Sequence, residues 1–169
     1  MAASFVAWTC ALSPDAVDDY APIIAMARGA VDASPKNYQY LKSLGAILFR
    51  AREIEAAVAK LTEVVQREAS DDGPKISSPA YSQYFLAMAH HAAGQAEEAR
   101  ECLQEANNWT YKVFSETHTP VAWNRRLTLE LLRREATALL SQEDLKPDNS
   151  ESKKPGSESP MEKDRRSDE

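Results

Sequence analysis

Two stretches decide the reading of this chain: Tyr38–Val65, YQYLKSLGAILFRAREIEAAVAKLTEVV, and Pro79–Ala106, PAYSQYFLAMAHHAAGQAEEARECLQEA. Each predicts two helices joined by a very short turn, because apolar residues recur every three or four positions on either side of a break. In the first stretch Leu41, Leu44, Gly45 and Leu48 fall on one helical face. Ile54, Ala57, Val58, Leu61 and Val64 share a face of the next helix. In the second stretch Leu86, Ala87 and His90 stand where Leu44, Gly45 and Leu48 stood, and Ala99, Leu103 and Ala106 replace Ala57, Leu61 and Val64. Gly94 is at the break, where a residue able to take positive φ relieves a helix end. Arg52 holds that place in the first stretch and is less suited to it.

The small residues have a packing purpose. Gly45, Ala57, Ala87 and Ala99 let paired helices approach closely, and Leu61 and Leu103 fill the space beside them. This alternation of small and large side chains resembles the tetratricopeptide repeat, a helical hairpin of about 34 residues. The resemblance rests on the Leu-Gly pair, the alanine of the second helix, and the large and small residues that follow it. The chain departs from the pattern in places. Leu41 and Gln83 stand where the first-helix Trp belongs, and Ala69 replaces the closing Pro of the first unit. The units are also offset by 42 residues, from Gly45 to Ala87, and a polar insertion at Ser70–Pro79, SDDGPKISSP, accounts for the excess.

A degenerate unit is expected before these two. It comprises a short apolar helix over Ser4–Leu12 and a second over Tyr20–Ala33, with Ile23, Ile24, Ala27, Ala30 and Val31 buried. After the last repeat come Trp109–Phe114 and a polar turn, in which Thr119 is a good N-cap and Pro120 a good first residue. The final helix places Trp123, Leu127, Leu131, Leu132, Ala136 and Leu139 along one stripe, with Arg125, Arg126, Arg133 and Arg134 outside, as a cap with one polar face would. The expected fold is all-α: a right-handed α-solenoid of about three hairpins and a C-terminal capping helix over residues 1–141. Residues 5–140, including the run FLAMAHHAAGQAEEAR, are similar to the C-terminal repeat modules of large bacterial proteins of the planctomycete type.

Composition agrees with this reading. Of 169 residues 43% are hydrophobic and only 5 are glycine, and Val, Ile and Thr are thin beside Ala, which favours helix over sheet. No stretch approaches the ~20 apolar residues of a membrane span. With 20 basic and 26 acidic side chains the net charge is −6, which argues against a general nucleic-acid binder. Residues 141–169 hold 6 basic and 9 acidic residues, with Leu145 and Met161 the strong hydrophobes, so residues 142–169 are expected to be a disordered charged tail. Ala2–Leu12 has no basic residue before it and acidic residues soon after it, unlike a secretory signal. Two cysteines, Cys10 and Cys102, do not make a disulfide framework, and a cytoplasmic setting fits.

The resemblance implies protein binding rather than catalysis. Projecting the repeat onto this chain puts Lys42, Ala46, Phe49 and Arg50, with Tyr81, Tyr84, Met88 and His91, on a concave peptide-binding face. Aromatic and basic groups together suit an extended peptide with an acidic side chain or carboxylate. The asparagines with which chaperone-binding repeats clamp a terminal carboxylate are absent, so chaperone-tail recognition is not expected. Packing of the same aromatics against the neighbouring repeat is the competing reading. No catalytic, cofactor or metal site is expected. His90 and His91 are adjacent and point about 100° apart on a helix, and no glycine loop or metal-ligand spacing occurs. The favoured function is an interaction scaffold or adaptor. The alternative is a regulatory or accessory module, or fragment, of a larger enzyme such as a bacterial Ser/Thr kinase or a WD-repeat protein.

Overall fold

The structure, a computed structural model, describes residues 2–70, 78–115 and 121–141. The described residues are all-helical. Seven helices follow one another: α1 (Ala2–Ala11), α2 (Ala21–Ala33), α3 (Tyr38–Arg50), α4 (Ile54–Ser70), α5 (Ala80–Ala92), α6 (Ala96–Ser115) and α7 (Trp123–Ser141). None is long and apolar enough to cross a membrane. The expected disordered tail, most of the Ser70–Pro79 insertion, and Thr119 and Pro120 lie outside the described residues.

Helix starts and stops follow local chemistry. Asn37 caps α3, its side-chain oxygen accepting from the Gln39 N–H at 3.1 Å. The α3/α4 and α5/α6 hairpins turn by the same device. The Glu53 N–H reaches back to the Leu48 carbonyl at 3.0 Å across Arg52, which has φ 64°. The Gln95 N–H reaches the His90 carbonyl at 2.9 Å across Gly94, which has φ 74°. Both are left-handed helix stops of the Schellman type, and they lie at corresponding places, 42 residues apart. Arg52 therefore adopts a conformation that costs a residue with a Cβ about 1 kcal/mol or more.

Packing orders the helices by neighbours. α3 contacts α4, α1 and α2, while α5 contacts α6, α4, α7 and, more lightly, α3. α3 and α4 approach closely at Gly45. A Cβ there would lie 2.8 Å from Leu61 Cγ and 2.9 Å from Cδ2, and Leu61 is itself wholly buried. The small-large pairing expected from the sequence is thus a physical contact between α3 and α4. The core joins all seven helices: Ala7 and Ala11 of α1, Ile24 and Ala27 of α2, Leu44, Ile47 and Leu48 of α3, Leu61 of α4, Tyr84, Phe85 and Met88 of α5, Ala106 of α6, and Leu129 and Leu132 of α7.

Two expectations need correction. Trp109–Phe114, expected after the last repeat, continues its second helix, since the 20-residue α6 runs on to Ser115. On α7 the buried stripe is Leu129, Leu132 and Ala136, whereas Trp123, Leu127 and Leu131 are exposed. Arg125, expected outside, is half-buried and lies near enough to Tyr81 for its charge to act on that phenol. The helix has two apolar stripes on opposite faces, and the sequence reading merged them into one.

Candidate functional site

The candidate site is the face that α3 and α5 turn towards α1 and α7. Lys42, Phe49, Tyr81, Tyr84 and Met88 are all buried, Arg50 keeps 5% of its side chain exposed, and His91 is half-buried at the margin. The structure brings most of them together, but as interior groups. The peptide-binding face expected at Lys42, Phe49, Arg50, Tyr81, Tyr84, Met88 and His91 is closed, because helices from both ends of the chain pack across it.

Trp8 of α1 closes one side. Its ring stands 5.5 Å from the Tyr81 ring and 5.8 Å from Phe85, the latter edge-on, and Phe85 in turn meets Phe49 edge-on at 6.1 Å. These are favourable aromatic geometries. Lys42 Nζ sits 5.1 Å from the Trp8 ring centre and 5.4 Å from that of Tyr81, and donates to Gln39 Oε1 at 2.6 Å. Ser4 of α1 and Ser43 of α3 share a further hydrogen bond of 2.9 Å. Burial pulls the Lys42 ammonium down to about 8, and the nearby Glu68 carboxylate works against that fall. The lysine is thus a cation held between two π faces and one amide rather than a free ligand for a peptide carboxylate.

Arg50 closes the other side. Its Nε donates to the Ala11 carbonyl at the end of α1 at 2.7 Å, satisfying one of the carbonyls a helix end leaves open. Its two terminal nitrogens grip both carboxylate oxygens of Glu135 on α7, the Nη2 bond at 2.7 Å. One guanidinium therefore fastens α1, α3 and α7, using the fork geometry that suits a carboxylate. The carboxylate expected on a peptide partner is supplied by the chain itself.

Tyr84 lies deeper. Its hydroxyl donates to Asn107 Oδ1 at 3.0 Å and shares a 2.9 Å bond with Thr110 Oγ1, both on α6. Burial raises the phenol above its ordinary range, opposed by the Thr110 hydrogen bond and the Arg133 charge. Tyr81 is raised by burial too, against the pull of Arg125.

Sequence reasoning missed Trp8, Gln39, Glu68 and Glu135. Glu135 sits beside Arg133 and Arg134 on α7 and resembles any solvated helix charge. Trp8 carried a weak signal, as one of two aromatics, with Phe5, in a helix otherwise mostly of small residues. His90, expected in the core, is half-exposed and pairs its Nδ1 with Gln95 Oε1 at 2.7 Å beside the turn. Burial first, then Glu101 and Glu98, push the Cys102 thiol up to about 11, so it is protonated at neutral pH and poorly suited to nucleophilic work. Among the described residues no three His, Cys, Asp or Glu side chains are grouped to hold a metal.

Comparison of the chain with family models, with curated proteins and with solved structures gives no match. The functional reading rests on the geometry above.

Proposed function

We propose that the chain is a protein-interaction module built as a short α-solenoid of tetratricopeptide-like hairpins. The observation that carries the reading is the recurrence of one turn. Arg52 and Gly94 take the same left-handed conformation with the same back-bond, from Glu53 to Leu48 and from Gln95 to His90. A hairpin repeated along a chain stacks on its neighbours and presents side chains over a long surface. Such a surface suits protein recognition better than enclosed chemistry. The protonated Cys102 thiol and a mostly apolar interior support the same reading, and a cytoplasmic setting goes with it.

A partner that uses Lys42, Arg50 and Tyr81 has first to move α1. Trp8→Ala in the full chain tests where recognition occurs. Wild type and variant are titrated with acidic peptides bearing an aromatic residue, followed by fluorescence anisotropy. Tighter binding by Trp8→Ala places the partner on the inner face, and equal binding places it on the outer helices. If neither protein retains any peptide, and tagged full chain cross-linked in its native cell captures no protein, the module reading fails.

A further inference from the structure

The exposed apolar row on α7 has no role in the closed inner face. Trp123 is 78% exposed, Leu127 47% and Leu131 41%. They are spaced by four residues, so on a helix of about 100° per residue they lie within roughly 40° of one line through Leu127. The buried stripe of Leu129, Leu132 and Ala136 runs along the opposite side. A helix that only closes a stack needs one apolar face; α7 has two.

The row is self-complementary about Leu127. Turning a second α7 antiparallel about a two-fold axis at that residue sets Leu127 on its own copy. It also sets Trp123 on Leu131 of the other copy, about 6 Å to either side. The flanking charges match as well. Arg126 and Glu130 lie along the same edge of the row and now pair within the helix at 3.2 Å, both more than half exposed. Under the two-fold operation Glu130 of each copy comes within about two residues' rise, ~3 Å along the axis, of Arg126 of the other. Along that edge the order becomes Glu130, the other copy's Arg126, Arg126 and the other copy's Glu130, so the two arginines lie side by side with a glutamate flanking each. Arg134, one turn further, comes beside the indole of the other copy's Trp123, a favourable cation–π arrangement.

Other occupants fit less well. Residues 142–169 are densely charged, with Leu145 and Met161 their strong hydrophobes, and do not match a row of three large side chains. Phe5 and Val6 of α1 and Met26 of α2 are also exposed apolar side chains. Joining them to α7 would be a head-to-tail contact that grows into a chain instead of closing.

We propose that the Trp123–Leu127–Leu131 row is the contact surface for a second copy of this chain, packed antiparallel about a two-fold axis at Leu127. The proposal is independent of whether other proteins bind the inner or outer face. One helix per copy makes a small interface, so association is expected at about micromolar concentrations.

Sedimentation equilibrium of the full chain over a concentration series is the test. Wild type should move from monomer to dimer and stop there. Leu127→Glu should remain monomeric with unchanged helicity and melting, since the residue is exposed. Glu130→Arg should weaken association at least tenfold, and Arg126→Glu combined with Glu130→Arg should restore it. Leu127→Cys, with Cys10 and Cys102 replaced by Ala, should oxidise to a covalent dimer. A wild type that stays monomeric at every concentration overturns the proposal. So does a dimer indifferent to both Leu127→Glu and Glu130→Arg. Open-ended growth abolished by Phe5→Ser overturns it as well, by assigning the contact to the head-to-tail alternative.

Discussion

The two central hairpins place different chemistry at matching positions. Shifted by 42 residues, Lys42 of α3 answers to Tyr84 of α5, and Glu68 of α4 answers to Thr110 of α6. In α3/α4 the position joins a buried cation to the charge of a carboxylate. In α5/α6 the same position is a neutral hydrogen bond between two hydroxyls. Gly45 answers to Ala87, Arg52 to Gly94, and Arg50, clamped on Glu135, to the exposed Ala92. One backbone solution is thus met twice, once with ionic groups and a strained turn, once with neutral groups and a relaxed one. The difference follows surroundings. Both helices are packed on several sides, but α1 brings the Trp8 ring to Lys42 and the Ala11 carbonyl to Arg50, whereas α6 offers Tyr84 the neutral groups of Asn107 and Thr110.

The largest expected difference between the hairpins is at Arg50. Glu135→Ala leaves that guanidinium buried without its carboxylate and should cost about 3–5 kcal/mol in urea unfolding. Ala92→Arg, at the matching exposed place, should change stability by less than about 0.5 kcal/mol. Similar costs for the two would mean that the Arg50 clamp contributes nothing.

Leu61 comes next. Leu61→Ala should destabilise by about 2–5 kcal/mol, because the side chain is wholly buried against Gly45. Leu103→Ala should cost less, since Leu103 is only half-buried. Gly45→Ala should cost about 1–3 kcal/mol through overpacking, and much of that should vanish in the Leu61→Ala background. Additive costs would separate the two residues.

The two coupled charges of Lys42 and Glu68 can be exchanged for neutral side chains of similar size. Lys42→Met with Glu68→Leu should be neutral or stabilising by about 1–4 kcal/mol at pH 7. The advantage has a pH signature. Lys42 holds its proton less tightly in the fold, at about 8 against 10.5 for the free group. Between those values the unfolded chain binds more protons than the native one, so wild-type stability rises with pH. The gap to the double variant should therefore narrow from pH 8 towards pH 10, as thermal melts would record. A gap that widens over this range would contradict the assignment.

The smallest effects are at the turns. Arg52→Gly should stabilise by about 1 kcal/mol and Gly94→Ala should destabilise by a similar amount, both read from chemical denaturation. Equal and opposite shifts would equate the two turns. No change at Arg52 would mean that its side chain compensates for the strain.

Much of the helical layout is legible in the sequence. The Gly45–Leu61 contact and the position shared by Arg52 and Gly94 follow from size and spacing within about twenty residues, where sequence distance and spatial distance agree. The site was less legible. Tyr84, Met88 and Lys42 look alike whether they line a groove or fill an interior, because the choice depends on what lies across from them. Trp8 is 73 residues from Tyr81 and Glu135 is 85 residues from Arg50, and no local pattern links such pairs. On α7, six apolar residues were read as one stripe because a helix with two apolar faces and a helix with one broad face have similar spacing.

By itself the sequence determined that the described residues are built of helices, where the central hairpins break, and which small residues allow close approach. These are consequences of side-chain volume, helical period and backbone freedom, all of them local properties. Tertiary structure alone decided that α1 and α7 cover the face of α3 and α5, that Arg50 spends its charge on Glu135 and the end of α1, and that Trp123, Leu127 and Leu131 look outward. Those outcomes depend on which distant surfaces meet, and burial is a property of both surfaces together.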